Sequence, residues 1–181
     1  RPCHDERGPR LDALTSGYHR PIRTGKASLM ARTVLLARPH PFIVKEMGPF
    51  LANAGFKTTQ LTSLAEMEHQ VKGAWGAVIS LALTSDLGAS IDEVFLSLRE
   101  HAPRLSIVFA ALMDLDKAKR TMERLARDHG IPARIVGAEE SQDALPPVLS
   151  HRNTFVYVGL NDLTVPSRRD ATAWLVDRHF R

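Results

Sequence analysis

Cysteine is almost absent from this chain, in which Cys3 is the single cysteine among 181 residues. One cysteine excludes an intramolecular disulfide and any zinc or iron–sulfur site built from several cysteines. Long apolar runs are also absent, because every continuous run is far shorter than the roughly 20 residues that cross a bilayer. The first residues lack the apolar segment of a secretory signal. We therefore expect a cytoplasmic protein without a membrane span.

Common enzyme signatures are missing as well. The sequence has no Gly-x-Ser-x-Gly elbow, no His-Glu-x-x-His zinc helix and no Gly-x-Gly-x-x-Gly loop after the first predicted strand. Gly25 and Lys26 imitate the end of a phosphate-binding loop, but Arg20 replaces its leading glycine and Ala27 replaces its hydroxyl residue. The eight histidines are scattered without ligand spacing. These absences predict a protein that is not an enzyme and that uses no metal or cofactor.

The positive charge is concentrated at the start of the chain. Residues 1–29 hold six basic and three acidic side chains, whereas the remainder holds 18 basic and 17 acidic ones. Because the body of the chain is nearly neutral, it offers no general electrostatic surface for DNA or RNA, and we expect no nucleic-acid partner. Residues 1–29 lack periodicity, so we interpret them as a disordered, non-native leader before a natural start at Met30.

Short apolar runs alternate with amphipathic stretches from Thr33 onward, which is typical of βαβ units. Between the runs, apolar residues recur at helical spacing, as in Ile91, Val94 and Leu98. Residues 30–150 are therefore predicted to form one α/β domain with a doubly wound, flavodoxin-like sheet of five parallel strands. The predicted strands are Thr33–Ala37, Lys57–Leu61, Gly76–Leu81, Leu105–Ala110 and Ala133–Gly137.

Local signals refine these boundaries. Ser63–Glu66 and Ser90–Glu93 match the capping box that begins a helix. Pro49 falls inside the first predicted helix and is expected to kink it. Pro146–Pro147 is expected to shorten the fifth helix or to begin it.

Residues 151–181 predict a short C-terminal extension of one strand and one helix. The strand is expected at Thr154–Val158, and the helix is expected to begin near Ser167, with an apolar stripe of Ala171, Trp174 and Leu175. An exposed Trp174 face would reduce solubility. We therefore expect the extension to pack back on the domain at the edge of the sheet.

The segment from Thr33 to Phe56 resembles the start of response-regulator receiver domains, and the likeness continues to about residue 140. In that family an acidic pair after the first strand holds magnesium, and an aspartate at the end of the third strand accepts phosphate. A hydroxyl residue after the fourth strand and a lysine after the fifth complete the site. The resemblance places Arg38, Pro39, Leu81, Ala111 (or Ala110) and Gly137 at these positions.

These replacements remove the chemistry of the family. An arginine repels a magnesium ion, which prefers hard oxygen ligands, and leucine offers no oxygen nucleophile; shifting the alignment by one residue places Ser80 there, still without the acidic pair. The sequence therefore predicts a degenerate, non-phosphorylatable receiver-like module. Its expected role is regulatory, through contacts with a signalling protein or a second copy of itself.

A rival resemblance is to cobalamin-binding domains. His40 stands fifteen residues before Gly55, as in the Asp-x-His-x-x-Gly segment of that family, and Ser80 lies in a run similar to its serine-bearing loop. Against it, Arg38 replaces the supporting aspartate. The alternative function is thus small-molecule sensing, with cobalamin or an anion as ligand. Its candidate binding residues are Arg38, His40, Ser80, Thr84 and Ser85.

Acidic residues also fall on the loops at this edge of the predicted sheet. Asp86, Asp114 and Asp116 follow the third and fourth strands, but their spacing matches no metal motif. We interpret them as solvated loop charges.

Overall fold

Six parallel strands form one sheet in the computed structural model, which describes residues 32–138 and 153–181. The proposed leader at 1–29 and the helix expected at Pro146–Pro147 lie outside the described residues. The strands are β1 (Thr33–Arg38), β2 (Lys57–Gln60), β3 (Ala74–Ser80), β4 (Ser106–Ala111), β5 (Arg134–Gly137) and β6 (Thr154–Gly159).

The strand order is β2-β1-β3-β4-β6-β5, and every neighbouring pair is parallel. The first four positions follow the 2-1-3-4-5 order of flavodoxin-like folds. The predicted fold class is therefore confirmed. The predicted number of five strands is wrong, because the C-terminal strand joins the sheet as a sixth member. The C-terminal strand was expected at the edge of the sheet, but it lies between β4 and β5.

Hydrophobicity explains why β6 takes the interior position. All six of its residues are buried, whereas β5 has only four residues and begins with the exposed Arg134. A strand covered on both faces requires a continuous apolar run, and an edge strand does not. The run Phe155–Val158 satisfies that requirement better than Ile135–Val136. The longer, more apolar strand therefore pairs with β4 and leaves β5 outside.

Helices cover both faces of the sheet. On the front face, a π-helical turn (Ile43–Met47), α1 (Gly48–Asn53), α5 (Leu160–Thr164) and α6 (Pro166–Phe180) pack over one core. On the back face, a 3₁₀ turn (Leu64–Glu66), α2 (Met67–Gln70), α3 (Ile91–His101) and α4 (Leu115–Asp128) pack over a second core. No helix within the two described ranges is long and apolar enough to cross a membrane.

Pro49 is accommodated by a change of helix type. The Gly48 amide donates to the carbonyl of Ile43, closing a wide π-helical turn, and Pro49 follows in the first turn of α1. A first-turn proline gives up no intrahelical hydrogen bond. The expected disturbance is therefore confined to one turn ahead of the proline.

The two predicted capping boxes differ in outcome. Ser90 caps α3 as predicted, because its hydroxyl accepts the Glu93 amide while the Glu93 carboxylate accepts the Ser90 amide. The box at Ser63 does not form, and that prediction is wrong. Glu66 instead accepts a hydrogen bond from the Thr62 hydroxyl at 2.6 Å. The Glu66 carboxylate therefore pairs with the Thr62 hydroxyl and not with the Ser63 backbone amide.

The last helix packs against the front face through a stripe that shares only Leu175 with the predicted one. Leu175, Val176 and Phe180 are buried, whereas Trp174 is partly exposed beside Arg178. Helix α6 begins at Pro166 with Val165 as its N-cap, one residue before the expected start. Its end reaches the sheet interior, where the Phe180 ring covers Gly76 of β3.

The contact between Gly76 and Phe180 yields a stability prediction. A Cβ atom at Gly76 would lie 2.2 Å from the Phe180 ring, so Gly76→Ala is expected to lower the free energy of unfolding by about 1–3 kcal/mol through overpacking. Urea denaturation measures this loss. Gly48→Ala is the matched control, since nothing lies within 4 Å of a Cβ placed there. If Gly76→Ala lowered the free energy of unfolding equally in a Phe180→Ala background, overlap with the Phe180 ring could not be the cause of the loss.

Candidate functional site at the carboxyl ends of the strands

Two crevices are expected where neighbouring strands send their following segments to opposite faces, since ligands of open α/β sheets bind at such points. After β1 the chain turns to the front face, and after the adjacent β3 it turns to the back. The same divergence separates β4 from β6. We call the gap between β1 and β3 the first crevice, and the gap between β4 and β6 the second.

Arg38 occupies the first crevice. Its side chain is almost completely buried, with 2% of the residue exposed. Its guanidinium donates four hydrogen bonds to backbone carbonyls at the end of β3 and in the loop that follows it, and burial lowers its pKa from the usual value. The accepting carbonyls are those of Ala89 (3.0 Å), Ser80 (2.9 Å), Ala82 (2.6 Å) and Leu83 (3.3 Å).

This arrangement differs from the ion pair that an arginine near acids usually forms. No carboxylate in the described part of the chain pairs with Arg38. Carbonyl dipoles compensate the buried charge instead, and an arginine remains protonated because of its very high intrinsic pKa. The four hydrogen bonds of the guanidinium thus hold the β3–α3 loop in place across the first crevice.

The residues predicted to form a degenerate phosphoacceptor pocket are only partly brought together. Arg38, Pro39, Leu81 and Ala111 lie at the carboxyl ends of the contiguous strands β1, β3 and β4. Gly137 does not join them, because it ends β5, which β6 separates from β4. The residue paired with Ala111 is Gly159 of β6.

Gly137 has a packing role of its own. A Cβ atom there would lie 2.7 Å from the Leu115 side chain at the start of α4. The absence of a side chain therefore lets α4 approach the edge strand.

The candidate ligand-binding residues also fall into separate environments. His40 uses its Nδ1 atom locally, accepting the amide of Phe42 at 3.3 Å. Ser80 is buried, and its hydroxyl accepts the Ala82 amide at 3.1 Å. Thr84 is exposed, whereas the buried Oγ of Ser85 has no hydrogen-bond partner among the described residues. Arg38, Thr84 and Ser85 share a cavity of about 330 Å³ beneath the β3–α3 loop.

The second crevice contains polar residues that sequence reasoning overlooked. Asp162 is buried after β6, where its Oδ2 accepts the Gly159 amide at 2.7 Å. Its Oδ1 accepts both Nε (2.9 Å) and Nη2 (2.7 Å) of Arg168. Asp162 is the third residue of α5, from which a carboxylate can reach back to the amide of the N-cap residue, here Gly159.

Tyr157 joins the two sides of the second crevice. Its buried hydroxyl donates to the carbonyl oxygen of Met113 in the β4–α4 loop. Burial raises the pKa of this phenol, and the negative charges of Asp162 and Asp114 raise it further. The hydroxyl therefore stays protonated and keeps its donor role well above neutral pH.

A cavity of about 240 Å³ lies above these groups. Asp114 and Asp116 contribute to its wall from the start of α4, while Asp86 belongs to the separate β3–α3 loop. Within residues 32–138 and 153–181, no three His, Cys, Asp or Glu side chains gather as metal ligands.

Comparisons with known proteins concern the fold alone. No protein-family model matches the chain, and no curated protein matches it. A response regulator receiver protein from Sinorhizobium medicae is similar at 16% identity and a TM-score of 0.45, covering 82% of this chain and 97% of that one. The receiver domain of a sensor histidine kinase from Pseudomonas aeruginosa is similar at 11% identity and a TM-score of 0.44, covering 83% and 98%. The fold class stands on the strand order of the chain itself.

Replacing Arg38 tests whether its hydrogen bonds hold the β3–α3 loop in place. Arg38→Met keeps an apolar stem but leaves four carbonyls without their donor, so we expect a loss of about 3 kcal/mol in the free energy of unfolding. Amide hydrogen exchange should accelerate specifically in residues 81–90. The exposed Arg120→Met serves as control and should change stability by less than about 0.5 kcal/mol. Amide exchange in residues 81–90 that is unchanged in Arg38→Met would show that Arg38 does not hold this loop in place.

The phenol of Tyr157 predicts a pH dependence at the alkaline end. Because its folded pKa is raised, its contribution to stability is complete below the unfolded tyrosine pKa of about 10 and decreases as the pH rises above it. In an ultraviolet titration, the Tyr157 phenol of the native protein should ionise at a higher pH than the same phenol of the protein unfolded in urea. Subtracting the titration of Tyr157→Phe isolates that band, and coincident native and denatured curves would contradict the expectation.

Proposed function

We propose that this protein is a receiver-like regulatory module that accepts no phosphoryl group and acts by binding another protein. The observation that carries the proposal is the position of Arg38. Its guanidinium lies at the end of β1, where the resemblance to receivers implies a pair of metal-binding acids. A fixed positive charge there opposes a magnesium ion electrostatically and supplies no oxygen ligand.

The end of β3 supports the same conclusion. Leu81 stands where the family places its phosphoacceptor, and its hydrocarbon side chain has no nucleophile. Ser80, the neighbouring hydroxyl residue, is 1% exposed and is engaged with the Ala82 amide. A buried, hydrogen-bonded serine is a poor nucleophile unless an adjacent base activates it.

A fastened loop also suits a constitutive binding module. In a switchable receiver, a charge-dependent contact has to choose between two loop arrangements. Here the four hydrogen bonds of Arg38 already hold the segment from Ser80 to Ala89 in one arrangement, without an added ligand. The proposed output is therefore set by the abundance of the protein and its partner, not by phosphorylation.

Treatment with acetyl phosphate and magnesium, followed by intact-mass measurement, tests the proposal. We expect no phosphoryl adduct, because metal ligands and nucleophile are both replaced. An active receiver domain treated in parallel controls for the reagent. An adduct that maps to Ser80, and that disappears in Ser80→Ala, would overturn the proposed inability to accept phosphate.

Small-molecule sensing is the competing function, and one observation favours it. The Ser85 hydroxyl, which has no hydrogen-bond partner in residues 32–138 and 153–181, lines the cavity beside Arg38, and a hydroxyl beside a cation suits an anion. Saturable binding of inorganic phosphate, lost in Ser85→Ala, would replace the proposed function with anion sensing. Binding of hydroxocobalamin that disappears in His40→Ala would replace it with cobalamin sensing. Titrations without either response would support the protein-binding module.

A further inference from the structure

His129 ends α4 next to the beginning of α3. It is the C-cap residue of α4, and its imidazole ring lies 5.3 Å from the buried ring of Phe95, between ring centroids. Its Nε2 atom is 3.6 Å from Oδ1 of Asp92, in the first turn of α3. A titratable ring is therefore held between two helices, where it faces a carboxylate.

The contact between His129 and Asp92 is of a kind that depends on a proton. The Nε2 atom is buried and forms no hydrogen bond with any residue that the structure describes. The distance of 3.6 Å is too long for a hydrogen bond but short enough for an ion pair. A neutral imidazole gains little across this distance, whereas an imidazolium attracts the carboxylate directly. Protonation therefore strengthens the contact.

Asp92 keeps its negative charge over the range in which histidines titrate. Arg124 donates from Nη1 to Oδ1 at 3.1 Å and from Nη2 to Oδ2 at 3.0 Å. These hydrogen bonds, together with the charges of Arg124 and His129, hold the pKa of Asp92 below its usual value, although burial opposes them. The neighbouring Glu93 carboxylate is engaged by Ser90. Between about pH 5 and 8, the imidazole is therefore the group of this contact that changes charge.

The other charged groups around the imidazole act in both directions. On α4, Arg124 and Arg127 are both paired with Asp128, and the partial negative charge at the carboxyl end of the helix favours protonation. On α3, Arg99 lines a cavity of about 210 Å³ together with the imidazole, and its positive charge opposes protonation. Residues 130–133, which follow α4, contain no titratable side chain. Over the described ranges, Asp92 is the only carboxylate that pairs with the imidazole.

We propose that His129 and Asp92 form a proton-dependent latch between the end of α4 and the beginning of α3. When the imidazole is charged, the ion pair joins the two helices beside the Arg124 bridge; when it is neutral, Arg124 alone joins them. Residues 130–133 lead directly from His129 to β5, so acidic pH also stabilises the entry to this edge strand. The response to pH requires neither a partner protein nor a phosphoryl group.

A double-mutant cycle of His129→Phe and Asp92→Asn tests the latch, with urea denaturation of the full chain at about pH 5.5 and about pH 8. Phenylalanine keeps an uncharged ring against Phe95, and asparagine keeps the shape of the aspartate. The weakening of the Arg124 hydrogen bonds occurs in both backgrounds and cancels. We expect a stabilising coupling that changes the unfolding equilibrium constant about threefold at the lower pH. The coupling should be lost at the higher pH, because the imidazole has released its proton.

The matched control is the cycle of His101→Phe and Asp92→Asn. His101 is an exposed histidine at the other end of α3, so this cycle should show no coupling at either pH. Coupling between His129 and Asp92 that is equal at both pH values, or absent at both, would overturn the latch. If His129→Phe does not fold, His129→Gln, which is uncharged at both pH values, takes its place in the cycle.

Discussion

The structure depends on a buried positive charge that is neutralised by backbone dipoles. A guanidinium removed from water is costly unless its N–H groups find acceptors, and Arg38 finds four of them in the segment that follows β3. The same contact supplies donors to carbonyls at the carboxyl edge of the sheet. One side chain thus fixes the path of the β3–α3 loop and orients the backbone of Leu83. The compensation of the buried charge and the position of the exposed Leu83 therefore depend on the same hydrogen bonds.

The two crevices differ in the polar groups that line them. In the first, the buried guanidinium of Arg38 is surrounded by backbone carbonyls. In the second, Asp162 and Arg168 form an ion pair on one side, and Asp114 and Asp116 line the other. Tyr157 bridges the walls through the Met113 carbonyl. The second crevice thus combines one buried ion pair with two exposed carboxylates around its cavity.

Sequence periodicity was sufficient to predict the parallel α/β class, because buried parallel strands need continuous apolar runs and the helices between them need one apolar face. It was insufficient for strand order, which depends on the comparison of Phe155–Val158 with the shorter β5. The position of Arg38 followed from the resemblance, but its carbonyl partners did not, since they come from a loop without periodicity. Tyr157 and Asp162 were missed because they belong to the C-terminal segment, which had been assigned outside the main sheet.

The interior position of β6 has a consequence for synthesis on the ribosome. Strand β5 emerges first, yet its hydrogen-bonding neighbour in the sheet is β6, which follows later in the chain. Until Thr154–Gly159 has been translated, β4 presents an unpaired apolar edge and β5 has no place to dock. Unpaired strand edges are prone to intermolecular association. The nascent chain therefore passes through an interval in which β1 to β4 can assemble while β6 is still inside the exit tunnel.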